Sequence, residues 1–141
     1  MVKKRYIKPE QVKKLEIDVN NFLQRYYPEQ NPKKFRDDTE AGLIKCIKAF
    51  VFLHGGQSER VDNRGYWLEN EKKYVPSMCE KGTADIHCTI KGKSVKVEIK
   101  IGNDRQSEAQ KRYQKRVERA GGIYFITRGF SEFVEQYKSI T

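Results

Sequence analysis

Cysteine, tryptophan, histidine and proline are all scarce in this chain: three, one, two and four among 141 residues. Cys46, Cys79 and Cys88 show no CxxC spacing. So sparse and odd a set builds no disulfide framework and fits a reducing compartment. Cys79, His87 and Cys88 also lack the spacing of a structural zinc site. No apolar run approaches the about 18 residues that a membrane-spanning helix needs. The opening "MVKKRYIKPE" is basic but has no apolar h-region, so it does not read as a signal peptide. Internal repeats, domain linkers, low-complexity arms and polybasic tails are lacking too. These gaps point to the cytoplasm, of a bacterium or of a virus-infected host.

What is abundant is charge. Lys and Arg number 29 against 19 Asp and Glu, a net charge of +10. A bias of that size favours a polyanionic partner, with nucleic acid first; the alternative is a merely basic soluble protein. The length suits one domain with a real core.

Periodicity divides the chain. Pro9 suits a first helical turn, and Val12, Leu15, Val19, Phe22 and Tyr26 recur at helical steps. Pro28 and Pro32 then make a loop. Asp37, Asp38 and Thr39 are all possible caps for a second helix, whose stripe is Leu43, Ile44, Ile47, Phe50 and Val51. "QSERVDN" reads as a short strand. "RGYWLENEKKYVPSMCEKG" reads either as a hairpin excursion or as a mobile loop. Ser107 and Gln110 have capping-box spacing before a helix that stops at Gly121-Gly122. "IYFIT" is a buried strand, and Ser131 is expected to cap a last helix. The order α-α-β-(β)-β-β-α-β-α predicts an α/β or α+β fold with a mixed sheet.

The stretch "GTADIHCTIKGKSVKVEIK" reads as a hairpin turning at Lys91-Gly92. On its second strand Val95, Val97, Ile99 and Ile101 share one face; Ser94, Lys96, Glu98 and Lys100 share the other. A two-residue loop pairs Ile90 with Lys93 and therefore sets Asp85 opposite Glu98. Opposed like charges destabilise a strand pair. Solvent, Lys100 or a bound cation must offset them. A hard divalent cation such as Mg²⁺ suits paired carboxylates. The alternative is a polar face meeting water. Glu40 opens the line Glu40, Ile44, Ile47, Val51, so it points either to that site or simply to its own helix dipole.

Asp85 followed by "EIK" at 98–100 resembles the signature of the PD-(D/E)xK nucleases. "TEAGLIKCIKAFVFLHGG", "GTADI", "VEIKIG" and "SEAQKRYQKRVERAGGIYFI" resemble its VRR-NUC branch, the virus-type replication-repair nucleases, over residues 37 to 134. The resemblance implies a restriction-endonuclease-like core, with residues 1–36 as an added N-terminal helix and loop before a core over 37–141. It implies a DNA endonuclease using Mg²⁺ or Mn²⁺. Asp85 and Glu98 are then metal ligands with the Ile99 carbonyl, Lys100 is the catalytic lysine, and Glu40 and Gln110 are further site residues, with Tyr113 in the same motif. Stand-alone members resemble Holliday-junction resolvases, homodimers that nick branched DNA in pairs. Ala84 departs from the family's proline, and the segment from Tyr66 to Lys81 is longer and more charged than the pattern.

Each remaining candidate has a plain structural reading beside the functional one. Arg60, Arg64, Lys81, Arg105, Lys111, Arg112 and Lys115 are candidate phosphate contacts, though charged faces ordinarily just solvate. Gln110 at capping spacing serves a helix end, a role that can coexist with a site role. Tyr113 reads as core, His87 as a satisfied or exposed histidine, His54 as a helix-end group and Trp67 as core or interface. Neither a membrane partner nor a small-molecule cofactor is expected.

Overall fold

The computed structural model describes residues 4–141. Helices α1 (Glu10–Tyr26) and α2 (Glu40–Leu53) are followed by strands β1 (Gln57–Arg60), β2 (Tyr66–Leu68), β3 (Lys73–Val75), β4 (Ile86–Ile90) and β5 (Lys93–Ile99). Then come α3 (Glu108–Arg119), β6 (Ile123–Thr127) and α4 (Phe130–Ile140). The fold is mixed α and β, as expected. Among the described residues no helix is long and apolar enough to cross a membrane.

The turn at 91–92 sets the register. Lys91 and Gly92 both have positive φ, 48° and 78°, as a two-residue hairpin loop requires. Ile90 therefore faces Lys93 and Ile86 faces Val97, the register read from the sequence. β1 pairs antiparallel with the free edge of β4, and β6 pairs parallel with β5. The sheet order is β1-β4-β5-β6. A parallel pair needs a crossover, and α3 supplies it.

Helices cover both faces of this sheet. On one face Ile86, Cys88 and Ile90 of β4 join Val95, Val97 and Ile99 of β5 in the main core. Leu43, Ile47 and Val51 of α2 and Phe130, Phe133 and Val134 of α4 close over them. α1 packs outside, against α2 and α4, through Val12, Leu15 and Val19. On the other face Ala84, Tyr113 and Tyr124 form a smaller cluster with Val117 and Ile126, under α3.

Two details differ from the sequence reading. The α1 stripe ends early: Leu23 packs on the core, Phe22 stacks edge-on against Phe52, and Tyr26 is exposed. Ser131 does not cap α4, because the helix begins at Phe130 after Gly129. A distant residue does the work instead. Asp37 Oδ2 accepts the Phe130 N–H at 2.9 Å, one of the four N-terminal donors that a helix leaves free. Thr39 is the acid-flanked residue that caps α2, accepting from Gly42 N–H at 3.0 Å. The segment "RGYWLENEKKYVPSMCEKG" forms a hairpin, with β2 and β3 in a separate two-stranded sheet. Trp67 stands on it exposed, so it is not core.

Candidate active site

The polar face of β5 changes character along its length. Ser94 is exposed, Lys96 is half-buried, and Glu98 is only 3% exposed. At Ser94 the ordinary solvated face holds. At Glu98 it fails, because the cluster of Tyr113, Tyr124 and Ile126 covers that end of the sheet. A buried carboxylate needs partners. Lys100 Nζ lies 3.7 Å from Glu98 Oε1, with side chains 12% and 5% exposed. The Lys100 N–H donates to Thr127 O at 3.0 Å, which extends the β5–β6 ladder past Ile99 and fixes the lysine's backbone.

Gln110 supplies the next contact. Its Oε1 accepts the Ser107 N–H at 2.9 Å, and its own N–H donates to Ser107 Oγ at 3.2 Å. That reciprocal pair is a capping box. Its Nε2 meanwhile donates to Glu98 Oε1 at 2.9 Å. One amide thus caps α3, the capping role read from the sequence, and also anchors Glu98. Gly82, at φ +86°, lets the chain pass close to this helix start; a Cβ there would lie 2.4 Å from Ala109 O.

Asp85 sits one residue before β4. Its Oδ2 accepts the Ile99 N–H at 2.9 Å, and its carbonyl accepts the Val61 N–H at 2.8 Å. The side chain takes the place of a backbone partner and holds Asp85 at the end of β5. The group seen to engage Asp85 is thus the N–H of Ile99 rather than its carbonyl.

Glu98 Oε2 stands apart in this network: it is buried, no N–H or O–H donor among the described residues reaches it, and its polar neighbour is the Asp85 carboxyl. Leaving such a group unpaired costs about 1–3 kcal/mol, more when charged. Burial pushes the Glu98 carboxyl up to about 8; Asp85 adds to the rise and Lys100 opposes it. At neutral pH the pair holds a proton where two bare carboxylates would repel. The same donor set, oxygen-only and net anionic with one oxygen free, fits a hard divalent cation.

Glu40 is exposed and does not touch the pair. It lines a cleft of 470 Å³ together with Asp85, Arg60, Asp62, Asn63 and Arg64, and its charge adds slightly to the rise at Glu98. No three acids, histidines or cysteines converge among the described residues. Arg60 and Arg64 are therefore the two candidate phosphate contacts that the fold brings beside Asp85.

The other candidates lie elsewhere. Arg105 borders a separate 490 Å³ hollow with Arg128, a residue the sequence reading passed over. Lys111 pairs with Glu108 at 3.2 Å, and Lys81, Arg112 and Lys115 are exposed. Asn63 was also passed over; its side chain donates to Thr83 O at 3.1 Å and borders the cleft. Its only signal was its place at the end of "QSERVDN", of which β1 takes only Gln57–Arg60.

The plain readings hold for several residues. Tyr113 is core, 7% exposed and edge-on to Tyr124. Its hydroxyl meets His87 Nε2 at 3.2 Å, so His87 is satisfied, and burial lowers the His87 pKa. His54 ends α2, its Nδ1 2.8 Å from Phe50 O and its ring stacked on Phe50. A 280 Å³ hollow beside Phe50, Phe130 and Tyr137 lies between α1, α2 and α4, lined half by main-core residues and half by polar ones, and is on the other side of the sheet from the α3 cluster.

Comparison of the chain with protein-family models, curated proteins and solved structures returns no match.

Proposed function

We propose that this protein is a metal-dependent endodeoxyribonuclease with a restriction-endonuclease-like core of the VRR-NUC type. It hydrolyses phosphodiester bonds and selects branched DNA such as Holliday junctions. One observation carries the reading. Glu98 is buried beside Asp85 with one oxygen free, while Lys100 and Gln110 hold the other. A merely structural acid would have been satisfied or replaced.

Asp85 and Glu98 would hold Mg²⁺ or Mn²⁺, with the Ile99 carbonyl and, through water, Glu40. Such an ion, when bound, polarises the phosphodiester and makes a coordinated water more acidic. The chain's own groups do the rest. Gln110 fixes the rotamer of Glu98 and leaves Oε2 facing the site. Lys100, its side chain largely buried against Glu98, places its ammonium beside the negative charge that develops on the phosphate. Arg60 and Arg64 take backbone phosphates at the cleft. A homodimer would supply two symmetric cuts. The exposed Phe52, Tyr26 and Tyr27 around Phe22 offer an apolar patch for it. A cytoplasmic setting is part of the proposal, on the sparse and odd cysteine set.

The test is cleavage of a four-way junction with Mg²⁺ or Mn²⁺. Activity is expected in the wild type and lost in Glu98→Ala and Lys100→Ala proteins that keep their circular dichroism. No cleavage of any branched or linear DNA overturns the reading. The net charge of +10 favours one other reading, a nucleic-acid-binding module without catalysis. Salt-sensitive binding indifferent to divalent ions and to Asp85→Asn would support that instead.

A further inference from the structure

Between β1 and β4 the chain makes an excursion over residues 61–83 that the sheet does not need. Its roots are pinned at the candidate site. Val61 N–H donates to Asp85 O at 2.8 Å, and the Asn63 side chain donates to Thr83 O at 3.1 Å. The hairpin β2–β3 thus rises from the backbone of Asp85 itself. Its strands pack chiefly on each other.

Trp67 and Tyr74 are directly opposed in the β2–β3 register, so they share one face of the hairpin. They are 54% and 61% exposed. Their polar ends are tied down: Trp67 Nε1 donates to Glu69 Oε2, and Tyr74 Oη accepts the Gly65 N–H, both at 2.9 Å. Gly65 is needed for this approach, since a Cβ there would lie 2.3 Å from Tyr74 Oη. The ring faces stay open. Neither ring stacks on another aromatic group among the described residues. Oriented, exposed aromatic rings mark an interaction surface.

Charge narrows the occupant. Residues 62–82 hold four acids and four bases, so the excursion is neutral in a chain of net +10. It is not built to track phosphates, which Arg60 and Arg64 at its root can do. Neutral, fixed aromatic faces beside a basic cleft suit nucleobases. Paired bases hide their faces within the helix stack; only unpaired nucleotides offer them. We propose that Trp67 and Tyr74 stack on unpaired DNA bases and so present single-stranded or branch-point nucleotides to the Asp85–Glu98 corner. This deepens the nuclease reading and rests on it for the choice of DNA.

Trp67 is the only tryptophan, so tryptophan emission, excited at the red edge where the eight tyrosines do not absorb, reports this hairpin alone. The protein is titrated in EDTA, where nothing is cut, with an oligothymidine strand, a forked duplex with single-stranded arms, and a blunt duplex. Quenching is expected with strand and fork and not with blunt duplex. Trp67→Ala/Tyr74→Ala should weaken fork binding by on the order of tenfold or more and leave duplex binding unchanged. Equal quenching by blunt duplex, or none with any DNA, overturns the proposal. A concentration-dependent emission shift without DNA, with a doubled mass in sedimentation, also overturns it and marks the hairpin as a self-association surface. The two readings fail separately. Quenching by the fork without cleavage in Mg²⁺ or Mn²⁺ refutes the nuclease and keeps the hairpin's role. Cleavage without quenching refutes the hairpin's role alone.

Discussion

Asp37 and Glu98 are both buried, at 9% and 3% exposure, yet their surroundings are opposite. Asp37 uses both oxygens. Oδ1 accepts the Tyr6 hydroxyl at 2.6 Å, and Oδ2 accepts the Phe130 N–H at 2.9 Å. It ties the N-terminal segment to the start of α4 and serves the fold. Glu98 has one oxygen held by Gln110 and Lys100 and one that no donor among the described residues reaches. Evolution satisfies buried polar groups with few exceptions, and an exception calls for a reason. On the proposed function, the contrast separates an acid that serves the fold from one that serves a ligand.

Glu98→Gln should have the largest effect, in opposite directions on two measurements. Nuclease activity should fall by about a thousandfold or more, since the anionic ligand at the reacting centre is gone. Stability in EDTA should rise. The new amide keeps an oxygen for Gln110 and places an N–H donor where Oε2 had no partner, facing Asp85. Scanning calorimetry should show a melting temperature higher by a few degrees. A loss of stability instead would make Glu98 a structural acid like Asp37.

Asp37→Ala should do the converse. It strands the Tyr6 hydroxyl and the Phe130 N–H and leaves a small void, at a cost of about 2–4 kcal/mol in urea unfolding. Activity per folded molecule, measured well below the melting temperature, should stay near wild type. Loss of activity in the fully folded variant would show that the α4 end feeds the site.

The difference between these acids was only half legible in the sequence. Asp85, Glu98 and Lys100 were readable because strand periodicity and a two-residue turn are local rules, and both held in the structure. Gln110 was readable because capping is local as well. Asp37 was not, because its partner lies 93 residues away and no local rule reaches that far. Ser131 failed as a cap because α4 begins one residue before it, and the Phe130 N–H is met by Asp37 from the loop before α2. Glu40 was placed on the right side of α2, but helical phase could not tell a cleft wall from a core edge. Trp67 was ambiguous because a short aromatic strand looks alike whether its rings meet core or solvent. The scattered basic candidates were decided by the path of the chain: Arg60 and Arg64 border Asp85 because the excursion begins between them.

The two acids should also differ in their pH signatures. Burial raises the Glu98 carboxyl from its ordinary 4.5 to about 8, so the folded metal-free protein binds a proton that the unfolded chain releases. Stability in EDTA should therefore decline as pH rises between those values. The slope should vanish in Glu98→Gln. Saturating Mn²⁺ should raise the wild-type melting temperature most at the alkaline end, where no proton competes for the site. At the Asp37 corner the phenol of Tyr6 is the group that moves, pushed up to about 12 by burial and by its bond to Asp37. Its contribution should persist to about pH 10 and be lost as pH climbs through 12, with or without metal. A slope at pH 5–8 that survives Glu98→Gln would show that another group sets it.

The smallest effect tests whether one amide can serve both kinds of role. Ser107→Ala removes the hydroxyl that accepts from Gln110 N–H, yet leaves the Gln110 amide free to hold Glu98. It should cost about 1 kcal/mol of stability, as lost caps do. Its activity should be unchanged. Gln110→Ala loses its half of the capping box as well as the bond to Glu98 Oε1. Its stability cost should be similar, but Glu98 then loses its one neutral anchor and its rotamer loosens. Activity should drop by about tenfold, the scale for removing an outer partner of a metal ligand. The comparison rests on kcat, with protein and temperature matched so that both variants are fully folded. Equal kcat in the two would reduce Gln110 to a capping residue, and the Glu98 corner would have to hold its shape through Lys100 alone.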